Sequence, residues 1–500
     1  LIGLDKLVGK LSGQLTDPSG SIPLEAEIDL EDLKFALNEQ LLNLGKLKLS
    51  GQYDVFPMQG ELSDLRFDLG RNALQLAQHS FSSEYSKIPV ALSGTGLQAD
   101  IENQTLALPE LNITAGDASI AANVQLSQLL GDVQASGHLA SNQFNARTLL
   151  EKLEIEAVTT MPEQALQLFS VETDFKGGLS SVAVEGLKVK LDQSTLTGRF
   201  SLADFANPAY RFMLDLDKIN VDDYLGEEEQ AAAEEAGPGA AVLLPFAELK
   251  GLDAKGEIGI GELRIMDLVS NDIVVKVDAA ADRIEVAPLK ARIYGGETVN
   301  SVVYDISGEQ PKAAINSQLL TLNLGPFLQA MQITDRFEGT GNVNADITTS
   351  GIELEQAIAN LNGQIDIALN DGAIRGVDIQ KSLVKAESAI NALAGKELGL
   401  SADLGDKTEF SEFGSNITVN NGVMNITAID LKAPALRVGG GGTVDLNTEQ
   451  LDLKLDVSVV KSFEGQGGAS LEKLKGQTIP MKITGSLDSP SILPDFSQIL

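Results

Sequence analysis

Leu451-Asp-Leu-Lys-Leu-Asp-Val-Ser-Val459 decides the fold. Its odd positions are all apolar, and Asp452, Lys454, Asp456 and Ser458 between them are polar. Successive side chains of a strand point to opposite faces, so this stretch reads as a strand with one dry face and one wet face. The same alternation carries Leu47, Leu49, Gly51, Tyr53 and Val55. It recurs at Leu65, Phe67, Leu69; at Leu187, Val189, Leu191; and at Phe212, Leu214, Leu216. Further along it returns at Ile273, Val275, Val277; at Val343, Ala345, Ile347; and at Ile365, Ile367, Leu369. Asn421-Gly422 and Asp371-Gly372 suit two-residue hairpin turns, which need φ > 0 at both central positions. Many short turns and one dry face per strand predict a mainly β protein. The expected form is an elongated, twisted antiparallel sheet folded as a groove, with a few short helices. Helical spacing is found only at 378–393 and 354–361. At about 13 residues per strand and turn the chain supplies on the order of 38 strands, a sheet of at most roughly 180 Å.

One short template repeats. Phe144-Asn145, Ile219-Asn220 and Leu322-Asn323 are each followed by a large apolar residue four positions after the Asn: Leu149, Tyr224 and Phe327. An Asn N-cap with apolar residues at N′ and N4 is the hydrophobic staple, in which the two apolar side chains pack and fix how the chain turns into the helix. Each copy follows a strand, so several strands closed by a one- or two-turn helix form the expected unit. The stretch from Gly226 to Ala240 is acidic, rich in Ala and Gly, and has no apolar period. It divides the chain into an N-terminal β-groove segment (1–225), a linker or loop (226–245) and a C-terminal β domain (246–500).

Composition excludes several function classes. Lys and Arg number 37 against 71 Asp and Glu, a net charge of −34. Affinity for a phosphate backbone comes from Lys and Arg, so nucleic acid is not an expected partner. Cysteine is absent, which removes disulfides and thiolate chemistry. The two histidines, His79 and His138, have no metal-type spacing and read as ordinary loop or surface residues. Asp215, Asp217, Asp222 and Asp223 lack the spacing of a calcium loop and read as a solvated strand edge. The glycines from Gly439 to Gly442 lie between strand-like Val438 and Val444, where a bulge or a close backbone approach is expected rather than a phosphate cradle. No nucleophile constellation supports a hydrolase, so an enzyme is not expected, nor is a cofactor.

The dry face is the informative object. It is either a structural core or the lining of an open groove. Aromatic residues make up 5% and Trp is absent, so its lining is Leu, Ile, Val and Ala, smooth enough for an acyl chain. The acidic side chains would then cover the convex face. Candidate groove residues are Leu451, Leu453, Leu455, Val457 and Val459, with Ile273, Val275 and Val277, and with Val343, Ala345 and Ile347.

Several segments resemble the AsmA family of Gram-negative bacteria. They are Ala291-Arg-Ile-Tyr-Gly-Gly296, Phe337-Glu-Gly-Thr-Gly-Asn342, and Leu361-Asn-Gly363 followed by Asn370-Asp-Gly-Ala-Ile-Arg-Gly-Val-Asp-Ile379. Ala435-Leu-Arg-Val-Gly439 with Gly442-Thr-Val-Asp-Leu446, Ile479-Pro-Met-Lys-Ile-Thr-Gly485, and Pro490 to Phe496 also match, and the N-terminal half matches more loosely, chiefly at Phe144 to Leu150 and Ile219 to Leu225. Ile293 stands where the family usually has Leu. The resemblance implies a periplasmic protein anchored in the inner membrane by an N-terminal helix that this sequence lacks. It also implies a β-groove that conducts phospholipids towards the outer membrane as a bridge-like lipid transfer protein, in outer-membrane biogenesis. Expected partners are phospholipids, the inner membrane, and outer-membrane or envelope proteins. The alternative expectation is a scaffold for outer-membrane protein assembly acting by protein contacts at open sheet edges.

Overall fold

The computed structural model describes residues 2–17, 20–53, 56–155, 160–226, 231, 249–266, 268–376, 378–379, 383, 407–460, 475–487 and 490–494. The fold is mainly β: 26 strands and three short α-helices among the described residues. The count falls below the expected one because single strands run to 17 residues. The chain divides into two units, Leu1–Ile219 with Asp223–Glu227, and Asn220–Asp222 with Glu228–Leu500. The linker expected over 226–245 lies outside the described residues, apart from Gly226 and position 231.

Thirteen strands build the first unit: β1 (Ile2–Asp17), β2 (Gly20–Ala36), β3 (Leu41–Tyr53), β4 (Phe56–Asp68), β5 (Ala73–Tyr85), β6 (Ile88–Asp100) and β7 (Thr105–Ala115). They continue as β8 (Ala118–Ser127), β9 (Gln134–Ser141), β10 (Phe169–Gly178), β11 (Ser181–Leu191), β12 (Ser194–Ala203) and β13 (Ala209–Asn220). Each pairs antiparallel with the next in sequence. A helix, α1 (Ala146–Lys152), is inserted between β9 and β10. No pairing joins β1 to β13 among the described residues, so the meander is open.

A repeat that the alternation alone does not reveal underlies the first unit. Asp32, Asp64, Gly96 and Gln128 all have positive φ, and so do Gln40, Asn72 and Gln104. Both sets recur every 32 residues, the length of one β-hairpin here. The first set lies where ladder pairing is interrupted or ends, and the second closes four-residue turns.

The second unit repeats the scheme with β14 (Asp253–Ile265), β15 (Leu268–Ala280), β16 (Arg283–Ile293), β17 (Gly296–Asp305), β18 (Lys312–Asn323), β19 (Phe337–Ser350) and β20 (Asn362–Arg375). It ends with β21 (Lys407–Asn420), β22 (Val423–Lys432), β23 (Leu436–Asp445), β24 (Gln450–Val459), β25 (Thr478–Ser486) and β26 (Pro490–Pro494). All are again paired antiparallel in sequence order. Two helices interrupt the meander, α2 (Leu324–Ala330) after β18 and α3 (Leu354–Ala359) after β19. Because β18 and β19 run in opposite directions, the helices sit at opposite rims of the sheet. The helix expected over 378–393 lies outside the described residues, except that Asp378, Ile379 and Leu383 are described.

The turn residues behave in two ways. Asn421 and Gly422 have φ of 49° and 76° and join β21 to β22, as a type I′ hairpin requires. Asp371-Gly372 is not a hairpin turn. It lies within β20, at a register shift against β19. Asp371 takes φ 49°, and a Cβ on Gly372 would collide with the Glu338 carbonyl. The pair is therefore a bulge, which needs the same positive φ as a turn. The run from Gly439 to Gly442 instead lies opposite a bulge in β22, where Ile426 and Ile429 pair with Gly442 and Gly440 and two β22 residues face Gly441.

Glycines on the dry face mark close approaches. A Cβ on Gly137 would meet the Asn123 carbonyl and lie 2.9 Å from Phe175 Cζ. On Gly341 it would meet the Ala368 carbonyl and lie 2.8 Å from Leu369 Cα. Glycine at these positions lets the neighbouring strands approach where a side chain would collide.

The staple template marks helical turns at all three sites, with different chemistry. Asn145 caps α1, its Oδ1 accepting from Thr148 N at 2.9 Å, while Phe144 stacks edge-on against Phe169 at 5.5 Å. Asn323 precedes α2 with no side-chain cap bond. There the apolar contacts carry the motif: Leu322 is buried, and Phe327 packs on the same cluster and against Tyr294. After Asn220 comes a single 3₁₀ turn, Val221–Tyr224. The Tyr224 hydroxyl donates to Asp192 Oδ2 at 3.1 Å, and Asp192 also accepts from Leu166 N and Leu168 N at 2.9 Å each. Burial, then the facing Asp192 carboxylate, pushes the Tyr224 phenol up to about 12. A differential test follows from the two caps. Asn145→Ala is expected to cost about 1 kcal/mol in the urea unfolding of the first unit. Asn323→Ala, which removes no cap bond, is expected to leave the second unit within a few tenths of a kcal/mol of wild type.

Candidate functional site

Cross-strand register assigns each side chain to a face. In the first unit Phe81, Leu92, Ile113 and Ile120 form one line across β5–β8. Val184, Phe200 and Phe212, with Val189, Leu196 and Leu216, form two lines across β11–β13. Ser80, Ser93, Asn112 and Ala121 occupy the opposite face, as do Lys188, Thr197 and Asp215. The apolar lines are neither buried nor fully exposed: apart from exposed Phe81, each of these side chains is partly accessible. The sheet therefore presents a continuous dry surface that no second layer of described residues covers.

The second unit treats the same face differently. Leu322, Leu369, Leu431, Val438, Val457 and Ile479 lie along one line near a rim, and all are buried. Leu324 of α2, together with Ile379 and Leu383, joins this cluster, and Phe327 and Leu328 pack on it. Towards the other rim Ile347, Ile417 and Val419 form a smaller cluster with Leu361, just after α3, packed against it.

The sequence-derived lining residues are distributed between these environments. Leu455, Val457 and Val459 are buried in the covered cluster, Val457 at 0% exposure, while Leu451, Leu453 and Val343 pack against it. Ile347 is buried in the smaller cluster, with Ala345 against it. Ile273 is buried and Val275 and Val277 are partly accessible, on β15 and apart from the others. The half-exposed surface of β5–β13 is not among the candidates. Its alternation is legible in the sequence, but the absence of a covering layer is not.

Polar groups are mostly committed to structure. Asp217 accepts from Thr195 N and Lys218 N, and Asp222 from Met266 N. These carboxylates serve backbone donors. His138 Nδ1 lies 2.9 Å from Asp174 Oδ1, across the wet face. A depression of about 700 Å³ is found beside it, lined by Glu61, Ser93, Glu110 and Asn112 together with Leu111 and Ala121. Among the described residues no group of three His, Cys, Asp or Glu is arranged to hold a metal ion.

His79 is the exception on the dry face. It pairs with Leu62 and Gly94, in a line that continues to Leu111. A Cβ on Gly94 would stand 2.6 Å from His79 Cε1 and Nε2, so the glycine makes room for the ring. Its Nδ1 is buried without a hydrogen bond.

Sequence comparison fits this geometry. The model of the AsmA family matches residues 27–429. The chain belongs to the AsmA family. It is similar to Protein AsmA of Escherichia coli (strain K12), at 18% identity over 342 residues, which cover 65% of this chain and 55% of that protein. The chain thus spans about half the length of this curated relative. AsmA proteins are envelope proteins, and an open antiparallel sheet fits a family role in outer-membrane biogenesis and lipid transport. Among the described residues no helix is long and apolar enough to cross a membrane.

Burial lowers the His79 pKa from its ordinary 6.5, so the folded chain holds this imidazole neutral more strongly than the unfolded chain does. Stability from this group is complete above the unfolded value and is lost as acidification carries the pH down through the folded one. The first unit is expected to melt lower at about pH 5.5 than at about pH 7.5, and His79→Phe to remove part of that difference. Thermal unfolding at the two pH values checks it.

Proposed function

We propose that this AsmA-family chain shields phospholipid acyl chains along the dry face of its open sheet while headgroups remain in water. In the whole protein, anchored in the inner membrane, the groove would conduct phospholipid through the periplasm towards the outer membrane. The observation that carries this reading is the uncovered apolar surface of β5–β13. Each methylene moved from water onto such a surface gains about 0.8 kcal/mol. Among the described residues the dry face is mostly aliphatic along β5–β13, a lining that suits sliding rather than capture. A second reading, scaffolding of outer-membrane proteins, draws on β1. Its outer edge pairs with no strand among the described residues, and Ile2, Leu4, Leu7 and Val8 are exposed on it.

Lipid extraction and mass spectrometry on the purified protein separate the two. Ile113→Asp with Leu214→Asp places charge on the half-exposed dry surface without touching the covered cluster. It is expected to lower bound phospholipid by at least about five-fold with the circular dichroism unchanged, whereas wet-face Thr197→Asp keeps its lipid. Equal loading of all three proteins would contradict the groove. Loss of co-purifying envelope protein on Val8→Pro, with no lipid in wild type, would favour the scaffold.

A further inference from the structure

Six hairpins of the first unit turn at the same rim, because each leads from an even-numbered strand to an odd-numbered one in a strictly antiparallel meander. All six carry a large apolar side chain in solvent at or near the tip: Leu37, Leu69, Ile101, Leu130, Leu179 and Phe205. Their exposure ranges from 43% at Leu69 to 78% at Leu130. The opposite rim also exposes Tyr85 and, in the long β9–β10 connection, Ile155 and Leu168, but its short turns differ. Its described two-residue turns are Ser86-Lys87, Gly116-Asp117 and Asp192-Gln193, all without an apolar side chain. Tyr85 beside the first of them stacks on Phe56.

The tips are ordered. Leu69 N donates to Gln40 O at 2.9 Å, and Ile101 N donates to Asn72 O at 3.0 Å. Leu129 N donates to Gln104 O at 3.4 Å. Each four-residue tip is thus laced to the next by its backbone, through the positive-φ residue that closes it. Exposed leucines on such fixed turns gain nothing from folding, and in a random surface they would not recur at six hairpins of one rim and at none of the three described short turns of the other.

We propose that this rim is a membrane-contact edge, whose tips seat single apolar side chains at the boundary between headgroups and acyl chains of a zwitterionic phospholipid bilayer. Spacing favours a bilayer over a protein. Tips stand two strands apart, about 10 Å, well beyond apolar contact distance, so they make no continuous patch of the kind a protein interface core requires. Between them lie Asn38, Glu39, Arg71, Asn72, Glu102 and Asn103, side chains that match a headgroup layer. Charge selects the lipid. Glu39, Glu102, Asp132 and Asp204 stand at the tips against Arg71 alone, so an anionic surface is repelled. Strand twist turns successive tips relative to one another, so adjacent tips engage together; Leu130 and Leu179, the two most exposed, are such neighbours. Contact at the rim and occupancy of the groove are separate properties and fail separately.

The absence of Trp makes the test direct. Leu130→Trp, Leu179→Trp and, on the opposite rim, Gln193→Trp are mixed singly with phosphatidylcholine vesicles. The two tip variants are expected to shift to the blue and to be quenched by shallowly brominated phosphatidylcholine, and the Gln193 variant to do neither. Adding phosphatidylglycerol should weaken the effect. A triple Leu130→Ser, Leu179→Ser, Phe205→Ser variant with unchanged circular dichroism should float with vesicles at least about ten-fold less. No shift at the tips, an equal shift at Gln193→Trp, preference for anionic vesicles, or undiminished flotation of the triple variant would overturn the proposal. So would a tip shift that needs an added protein.

Discussion

A β-sheet with one apolar face must hide that face, and everything else in this molecule follows from how it does so. Parallel sheets are covered by helices and sandwiches by a second sheet. Among the described residues the meander has neither along most of the first unit. Its dry lines stay partly accessible, and glycines on that face allow close approach of neighbouring strands. In the second unit helices are set at the two rims rather than across the face, so burial is completed near the rims and is partial at Val343 and Ala345 between them.

The wet face answers the same constraint from the other side. Cross-strand ion pairs such as Lys46–Glu61 at 2.6 Å and Lys276–Glu257 at 3.0 Å are solvent-exposed and contribute little stability each. Their larger effect is collective. A net charge of −34, carried on a surface this polar, discourages two open sheets from stacking face to face or edge to edge.

Much of this was legible in the sequence because period two is a property of the strand itself. The stretch from Leu451 to Val459 announces its faces without reference to any neighbour. Burial is different. Val457 and Leu196 occupy equivalent alternating patterns, yet Val457 is fully buried and Leu196 is partly open. The difference lies in their surroundings: Val457 belongs to a buried cluster that Leu324, Ile379 and Leu383 also join, and no described cluster covers Leu196. Asp371-Gly372 misleads for a related reason, since a bulge and a hairpin turn demand the same positive φ and only the length of pairing beyond them separates the two. The 32-residue repeat could have been found. Leu37-Asn-Glu-Gln40, Leu69-Gly-Arg-Asn72 and Ile101-Glu-Asn-Gln104 share an apolar first and an amide last residue, each followed two residues on by Leu42, Leu74 or Leu106. Identity is weak in such a repeat because only the turn and the face are constrained.

If lipid lies on the dry face, its contacts must alternate along a single strand. A photo-crosslinking amino acid placed in turn at positions 211 to 216 of β13, in cells, should capture phospholipid from Phe212, Leu214 and Leu216 and not from Arg211, Met213 or Asp215. Capture without this alternation, or none at the three dry positions, would contradict the account.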